Sequence, residues 1–366
     1  MAGRMSTGGI ALVLALTPHR FSGLNIIGLV IFLMALVFFT FITIALCLRF
    51  ILYRHTLSKS MTHPSEALFI STFFLSIAAM LSNVQEYGEI FLGDNDKRRL
   101  YVFLRVAFWA YLAVTFLLSV VQYHLLFTVK VERRLSTSTM TPAWILPIFP
   151  IMLAGTLAGF FSPTQPPEQA LSMISAGLAA QGLGMLVSVF MYATYLSRLI
   201  SFGLPIQRPG MFIAVGPPSF TCAALVAMAS DVPRIVGAAT GSDAPVLTSL
   251  ASPAIVADGV KVAAIYVSIF LWGLAFWFFI SAVAAVFAGM PDRRFHLSWW
   301  SFVFPNVGFT IACIRMGVAL QNDGILWLSS AMTITLFIVW AFVAFRCVRA
   351  VIKREIVWPG HDEDSD

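Results

Sequence analysis

Long runs of apolar residues, separated by short polar stretches, occupy almost the whole chain. A helix that crosses a bilayer needs about 20 mainly apolar residues, and most of the runs reach that length. Together with the Gly and Pro residues that interrupt them, these runs predict ten helices, numbered in chain order. They cover residues 1–17, 24–50, 64–88, 99–129, 142–161, 168–200, 211–230, 257–288, 297–320 and 324–352. The pattern predicts an all-α polytopic membrane protein with one transmembrane domain over residues 1–354 and a short acidic cytoplasmic tail over 355–366.

The first predicted helix is short for a bilayer span. Thr7, Gly8 and Gly9 follow the initial Met1 after only a few residues, although such a segment is typical of the middle of a helix. We therefore expect that a segment preceding Met1 is missing from this sequence. A cleaved signal peptide is the alternative, and the absence of a small-x-small cleavage site around residues 17–20 disfavours it.

Composition agrees with the apolar pattern, since 59% of the residues are hydrophobic and 11% are charged. The formal charge of +6 does not predict a nucleic-acid partner, because the Lys and Arg residues are scattered among the predicted loops. The four cysteines lie within apolar helices and lack the spacing of metal ligands. We expect buried thiols and neither a metal nor another cofactor.

The positive charges alternate from loop to loop. The loops after helices 2, 4, 6 and 8 and the end of helix 10 are basic, and the loops between them are not. The basic residues are Arg49, Arg54, Lys59, Lys130, Arg133, Arg134, Arg198, Arg208, Arg293, Arg294, Arg346, Arg349, Lys353 and Arg354. By the positive-inside rule these loops and both termini are cytoplasmic, which requires an even number of spans.

Helix-breaking residues alternate in the same way, and they predict which helices face inward. The odd-numbered helices carry them, whereas the even-numbered helices have no interior proline. The breakers are Gly8 and Gly9, Pro64, Pro147 and Pro150, Pro217 and Pro218, and Pro305. A proline frees backbone carbonyls that must find protein or water partners inside a bilayer. We therefore predict five helical hairpins around a central pore, with kinked odd-numbered helices inside, straight even-numbered helices facing lipid, and a constriction at the layer of the breaks. The alternative is that these prolines are simply the ones common in membrane helices.

Five stretches of the chain resemble a known family. They are MSTGGIALVLALTPHRF (5–21), MTHPSEALFISTFFLS (61–76), MTPAWILPIFP (140–150), RPGMFIAVGPPSFT (208–221) and WWSFVFPNVG (299–308). The chain is similar to the tellurite-resistance/dicarboxylate transporters, which include fungal malic-acid permeases, sulfite efflux pumps and slow anion channels. The malic-acid branch is the most similar.

The resemblance implies ten helices in five hairpins around a pore, a homotrimer whose subunits conduct independently, and a phenylalanine plug at Phe304. It implies transport of a malate-like dicarboxylate, such as malate or succinate, across a fungal plasma membrane. The alternatives are a sulfite efflux pump, a general anion channel, and a non-transporting scaffold or degenerate paralogue. The short first helix departs from the family and keeps the last of these open.

Phe304 directly precedes Pro305, where a helix bends most easily, so its ring can swing between blocking and opening a narrow path. With 33 Phe in the chain, the alternative is a packing aromatic. Arg315 lies eleven residues later, which returns it to within about 20° of the same helix face. It is either an anion-attracting group or a snorkelling anchor.

Polar groups beside the breaks are further candidates. Ser219, Thr221 and Asn306 are placed to replace the hydration shell of an anion. The alternative is that their side chains bond to the backbone of their own helix. Gly8 and Gly9 are candidates for the pore wall, and His63 for a proton-coupling group at the cytoplasmic end of helix 3.

Enzymatic motifs are absent: the sequence contains no G-x-S-x-G, no H-E-x-x-H and no P-loop. We therefore expect a protein that is not an enzyme and that hydrolyses no nucleotide. Gly182-x-Gly184 within helix 6 predicts a close contact with another helix.

Overall fold

A computed structural model describes residues 2–53, 64–130, 134–238, 252–292 and 294–356. All regular structure in these ranges is helical. The α-helices are α1 Ala2–Leu16, α2 Leu24–Leu52, α3 Pro64–Phe91, α4 Asp94–Thr128, α5 Phe149–Phe161, α6 Pro167–Phe202, α7 Gly216–Ala238, α8 Pro253–Phe287, α9 Phe304–Ala319 and α10 Asp323–Ile352. His63, several basic loop residues and residues 357–366 of the acidic tail lie outside the described residues.

The predicted class, an all-α polytopic membrane protein, is confirmed. Eight helical segments are long and apolar enough to cross a membrane, and the helices at residues 3–16 and 149–164 are shorter. Apart from the starts of α5, α7 and α9, which 3-10 segments precede, the largest shifts in helix ends occur at α4, which begins at Asp94 rather than residue 99, and at α7, which continues to Ala238 rather than 230. Hydropathy excludes the charged start of α4, but Asp94 and Asp96 in its first turn complement the helix dipole.

Three of the predicted odd-numbered helices are not continuous α-helices. The 3-10 segments Pro142–Ile145, Arg208–Val215 and Leu297–Phe302 precede α5, α7 and α9. Pro150 and Pro305 occupy the first turn of α5 and α9, and Pro217 and Pro218 follow the first residue of α7. Proline suits these positions because the first N–H groups of a helix have no partner within the helix. The prolines therefore mark junctions between a 3-10 segment and an α-helix.

Tyrosines on even-numbered helices bond to carbonyls that the prolines leave without a helical donor. Ala214 would normally accept from residue 217 or 218, but both are prolines, and the Tyr192 hydroxyl donates to its carbonyl oxygen at 2.8 Å. The Tyr123 hydroxyl donates to the Trp144 carbonyl at 3.0 Å, since residue 147 is proline. Freed backbone groups thus find protein partners, as a low-dielectric surrounding requires.

Burial separates the odd-numbered helices from the even-numbered ones. In the most apolar 18 residues of each long span, 61% of α3, 94% of α7 and 72% of α9 are buried, against 17% to 39% in the even-numbered spans. All residues of α5 are buried, as is most of α1. Each odd-numbered helix also contacts the even-numbered helix that follows it. The odd-numbered helices therefore form the interior, while five hairpins around a pore and the cytoplasmic location of both termini stay predictions.

Candidate functional site

Within the described part of the chain, two of the interior cavities are each lined by residues from all five odd-numbered helices or from the 3-10 segments before them. The first lies toward the C-terminal ends of these helices and is lined by Gly9, Leu12, Ala78, Ala79, Ser82, Leu153, Thr156, Leu157, Phe220, Phe304 and Val307. The second lies toward their N-terminal ends and is lined by Met5, Phe69, Thr72, Leu75, Leu146, Phe149, Ile213, Leu297, Trp300, Ser301, Phe304 and Pro305. Each admits about one or two water molecules. Phe304 belongs to both linings, so its ring lies where the cavities meet.

Phe304 is the centre of a cluster of three aromatic rings. Its ring centroid lies 5.3 Å from that of Phe220 in a stacked arrangement and 6.2 Å from that of Phe149 at an angle. Phe149 and Phe220 are themselves 5.8 Å apart. All three side chains are buried, and aromatic pairs at these separations attract each other beyond simple burial. The cluster joins α5, α7 and α9 next to their 3-10 junctions.

Glycines allow close packing around the cavities. A Cβ added at Gly308 would lie 2.6 Å from the Phe220 ring, and one at Gly216 would lie 2.7 Å from the Phe149 ring. Of the two predicted pore glycines, Gly9 lines the first cavity against Val307, and Gly8 faces α3.

Two side chains in the lining of the first cavity are polar, Ser82 on α3 and Thr156 on α5. Both are buried, with 3% and 7% of their surface exposed. The Thr156 Oγ1 has no hydrogen-bond partner within the described ranges. Neither cavity has a charged residue among its described lining residues.

The hydroxyl groups predicted beside the α7 break bond to their own helix. The Ser219 Oγ donates to the Val215 carbonyl at 2.6 Å, and the Thr221 Oγ1 donates to the Pro217 carbonyl at 2.7 Å. Thr221 also accepts a 2.8 Å bond from the Gln181 side chain on α6. Neither residue is part of the lining of the two cavities.

Asn306 and Arg315 are absent from the linings of both cavities. The Asn306 amide donates to the Phe302 carbonyl at 2.9 Å. The guanidinium of Arg315 lies 5.3 Å from the centroid of the Phe160 ring on α5. Arg315 is half-buried near the C-terminal end of α9. Arg315 and Phe304 share one face of α9, but Arg315 lies about three turns further along the helix and does not line the first cavity.

Sequence reasoning missed Phe149, Phe220, Ser82 and Thr156. The two aromatic residues had a signal, because Phe149-Pro150 repeats the Phe304-Pro305 pair and Phe220 follows Pro218 closely. Ser82 had none, because no helix breaker adjoins it, and Thr156 follows Gly155, which is not among the predicted breakers. Within the described ranges, no group of three or more His, Cys, Asp or Glu side chains is placed to hold a metal ion.

Small cavities that are lined by five buried helices, with one aromatic ring common to both linings, suit a membrane channel or carrier. Residues 1–348 match the family described as voltage-dependent anion channel, SLAC1, and the chain belongs to that family. It is therefore a multi-pass membrane protein of a family of anion transporters and channels.

Three relatives illustrate the range of the family. The chain is 33% identical to the malic acid transport protein of Schizosaccharomyces pombe, across 99% of this chain and 80% of the relative. It is 34% identical to a putative malic acid transport protein of the same yeast, across 100% of this chain and 82% of the relative. Identity to the sulfite efflux pump SSU1 of Trichophyton rubrum is 25%, across 93% of this chain and 86% of the pump.

Proposed function

We propose that this protein carries C4-dicarboxylates, malate first, across the plasma membrane, and that Phe304 is the gate of its transport path. The observation that carries the gate is the position of one ring in the linings of both cavities. An apolar constriction blocks ions because it excludes the water that they need. Displacing the Phe304 ring would join the two cavities into one path.

The proposed substrate rests on the similarity of this chain to malic acid transport proteins. Identity to the two malic acid transport proteins is 33% and 34% over nearly the whole chain, and identity to the sulfite efflux pump is 25%. The neutral, hydroxyl-bearing lining also suits an anion that must bind weakly enough to leave again. The proposal includes a homotrimer, which the family resemblance implies. It places one path in each subunit, because the five odd-numbered helices of one chain contact each other in a closed order.

The gate is tested by measuring uptake of labelled malate into liposomes that contain the purified protein or its Phe304→Ala variant. We expect the variant to raise the initial rate at least about tenfold, which corresponds to about 1.4 kcal/mol removed from the barrier. Phe116→Ala is the matched control, because Phe116 lies exposed on α4 and contributes to neither cavity. An unchanged rate in Phe304→Ala would reject the gate.

Labelled sulfite, measured in the same liposomes, distinguishes the alternatives. Malate uptake without sulfite movement supports the proposal, and the reverse result assigns the chain to sulfite efflux. A scaffold or a degenerate paralogue would move neither anion, with or without the Phe304 ring.

A further inference from the structure

Hydroxyl groups inside a membrane helix usually donate to the carbonyl four residues earlier, because no water is available. In the odd-numbered helices Ser219, Thr221 and Thr310 follow this rule, with donor to acceptor distances of 2.6 to 2.8 Å. Thr156 and Ser82 do not follow it. Their side chains line the first cavity, and the Thr156 Oγ1 is buried without a hydrogen-bond partner in the described part of the chain.

A buried hydroxyl without a partner is destabilising, and a serine or threonine in a helix can usually avoid this by bonding to a carbonyl of the preceding turn. Both instead lie at the wall of one cavity, next to the Phe304 ring. Their donors are therefore available to a solute that enters the cavity. The rest of the lining is apolar or glycine, including Leu12, Leu153 and Val307.

We infer that Ser82 and Thr156 form a binding site for a carboxylate group of the transported anion, in the first cavity beside Phe304. This inference rests on the proposed function and adds the groups that would recognise the substrate. Each hydroxyl donates one hydrogen bond to a carboxylate oxygen, and bonds to a charged acceptor are stronger than neutral ones. Because the cavity admits only about one or two water molecules with the Phe304 ring in place, the carbon chain of the substrate contacts the apolar wall after that ring has moved aside. Because no fixed cation lines the described cavity, binding is weak enough for release.

The site is tested by the concentration dependence of labelled malate uptake in liposomes. Thr156→Val keeps the size of the side chain and removes its donor, and Thr156→Ser restores the donor. Ser82→Ala removes the second donor. If Thr156→Val is not recovered as a folded protein, Ser82→Ala alone tests whether a hydroxyl donor in the first cavity binds malate. Thr221→Val is the matched control, because its hydroxyl bonds to α7 and does not line either cavity.

We expect the apparent KM for malate to rise about tenfold in Thr156→Val and in Ser82→Ala, the effect of losing one hydrogen bond to a charged group. The KM should return to within about twofold of the wild type in Thr156→Ser and stay there in Thr221→Val, since both keep the two donors. The inference is overturned if both donor deletions leave the KM unchanged, or if Thr221→Val raises it equally.

Failure of this site and failure of the proposed function give different results. If Phe304→Ala accelerates malate uptake while the donor deletions leave the KM unchanged, the gate stands and the binding site is wrong. If neither the wild type nor Phe304→Ala moves malate, the proposed function itself is wrong.

Discussion

At the scale of single residues, two glycines that are two positions apart on one helix have different surroundings. Gly182-x-Gly184 predicts a close helix contact, and the structure confirms it for Gly184 alone. A Cβ at Gly184 would lie 2.4 Å from the Met152 Cβ, whereas a Cβ at Gly182 would meet nothing within 4 Å. Two residues turn a helix by about 200°, so the two glycines face in nearly opposite directions.

Gly184→Ala is therefore expected to separate α6 from α5 and to lower the free energy of unfolding by about 1–3 kcal/mol, as overpacking does. Gly182→Ala should leave stability unchanged or raise it by up to about 1 kcal/mol through helix propensity. Thermal unfolding of the two variants in detergent, followed by size-exclusion chromatography, compares them directly. Equal midpoints would contradict the contact.

At the scale of the helices, prolines act by ending a 3-10 segment and beginning an α-helix. Each such junction leaves carbonyls without a helical donor, and tyrosine hydroxyls on neighbouring helices donate hydrogen bonds to some of them. Tyr192 and Tyr195 lie on the same helix, α6, but only Tyr192 donates to a carbonyl that prolines leave without a helical donor. Tyr192 donates to Ala214, and the Tyr195 hydroxyl has no partner within the described ranges.

Tyr192→Phe should lower the free energy of unfolding by about 1–3 kcal/mol, because it leaves the Ala214 carbonyl buried and unpaired. Tyr195→Phe removes a hydroxyl that makes no bond, so stability should be unchanged or slightly higher. Thermal midpoints in the same detergent measure both. A loss in Tyr195→Phe as large as that in Tyr192→Phe would show that the bond to Ala214 is not the cause.

At the scale of the whole molecule, buried odd-numbered helices are surrounded by even-numbered helices whose exposed side chains are large and apolar. Leu117 on α4 and Leu186 on α6 are each 63% exposed. Such surfaces suit lipid or a neighbouring subunit, since a water-exposed surface would carry polar groups. The interior instead contains two small cavities and the aromatic cluster between them.

Cysteine labelling tests this arrangement in intact membranes. In a background without Cys47, Cys222, Cys313 and Cys347, we expect Ser82→Cys to react with a charged, membrane-impermeant thiol reagent once Phe304→Ala opens the path. Leu117→Cys and Leu186→Cys should not react, because lipid excludes the reagent and keeps the thiol from ionising. Equal labelling at all three positions would refute a wet path inside a lipid-facing shell.

The sequence by itself was enough for the class of protein, the number and approximate ends of the helices, the family and the candidate gate Phe304. Apolar length and helix breakers are local properties, and the long stretches around Gly8, Pro150, Pro218 and Pro305 carry the resemblance. It was not enough to choose the polar groups of the path: Ser219 and Thr221 have the expected position beside a break, yet they bond to their own helix. Only tertiary packing decided that Ser82 and Thr156 face the cavity, because the rotation of each helix about its axis depends on its neighbours and not on its own residues.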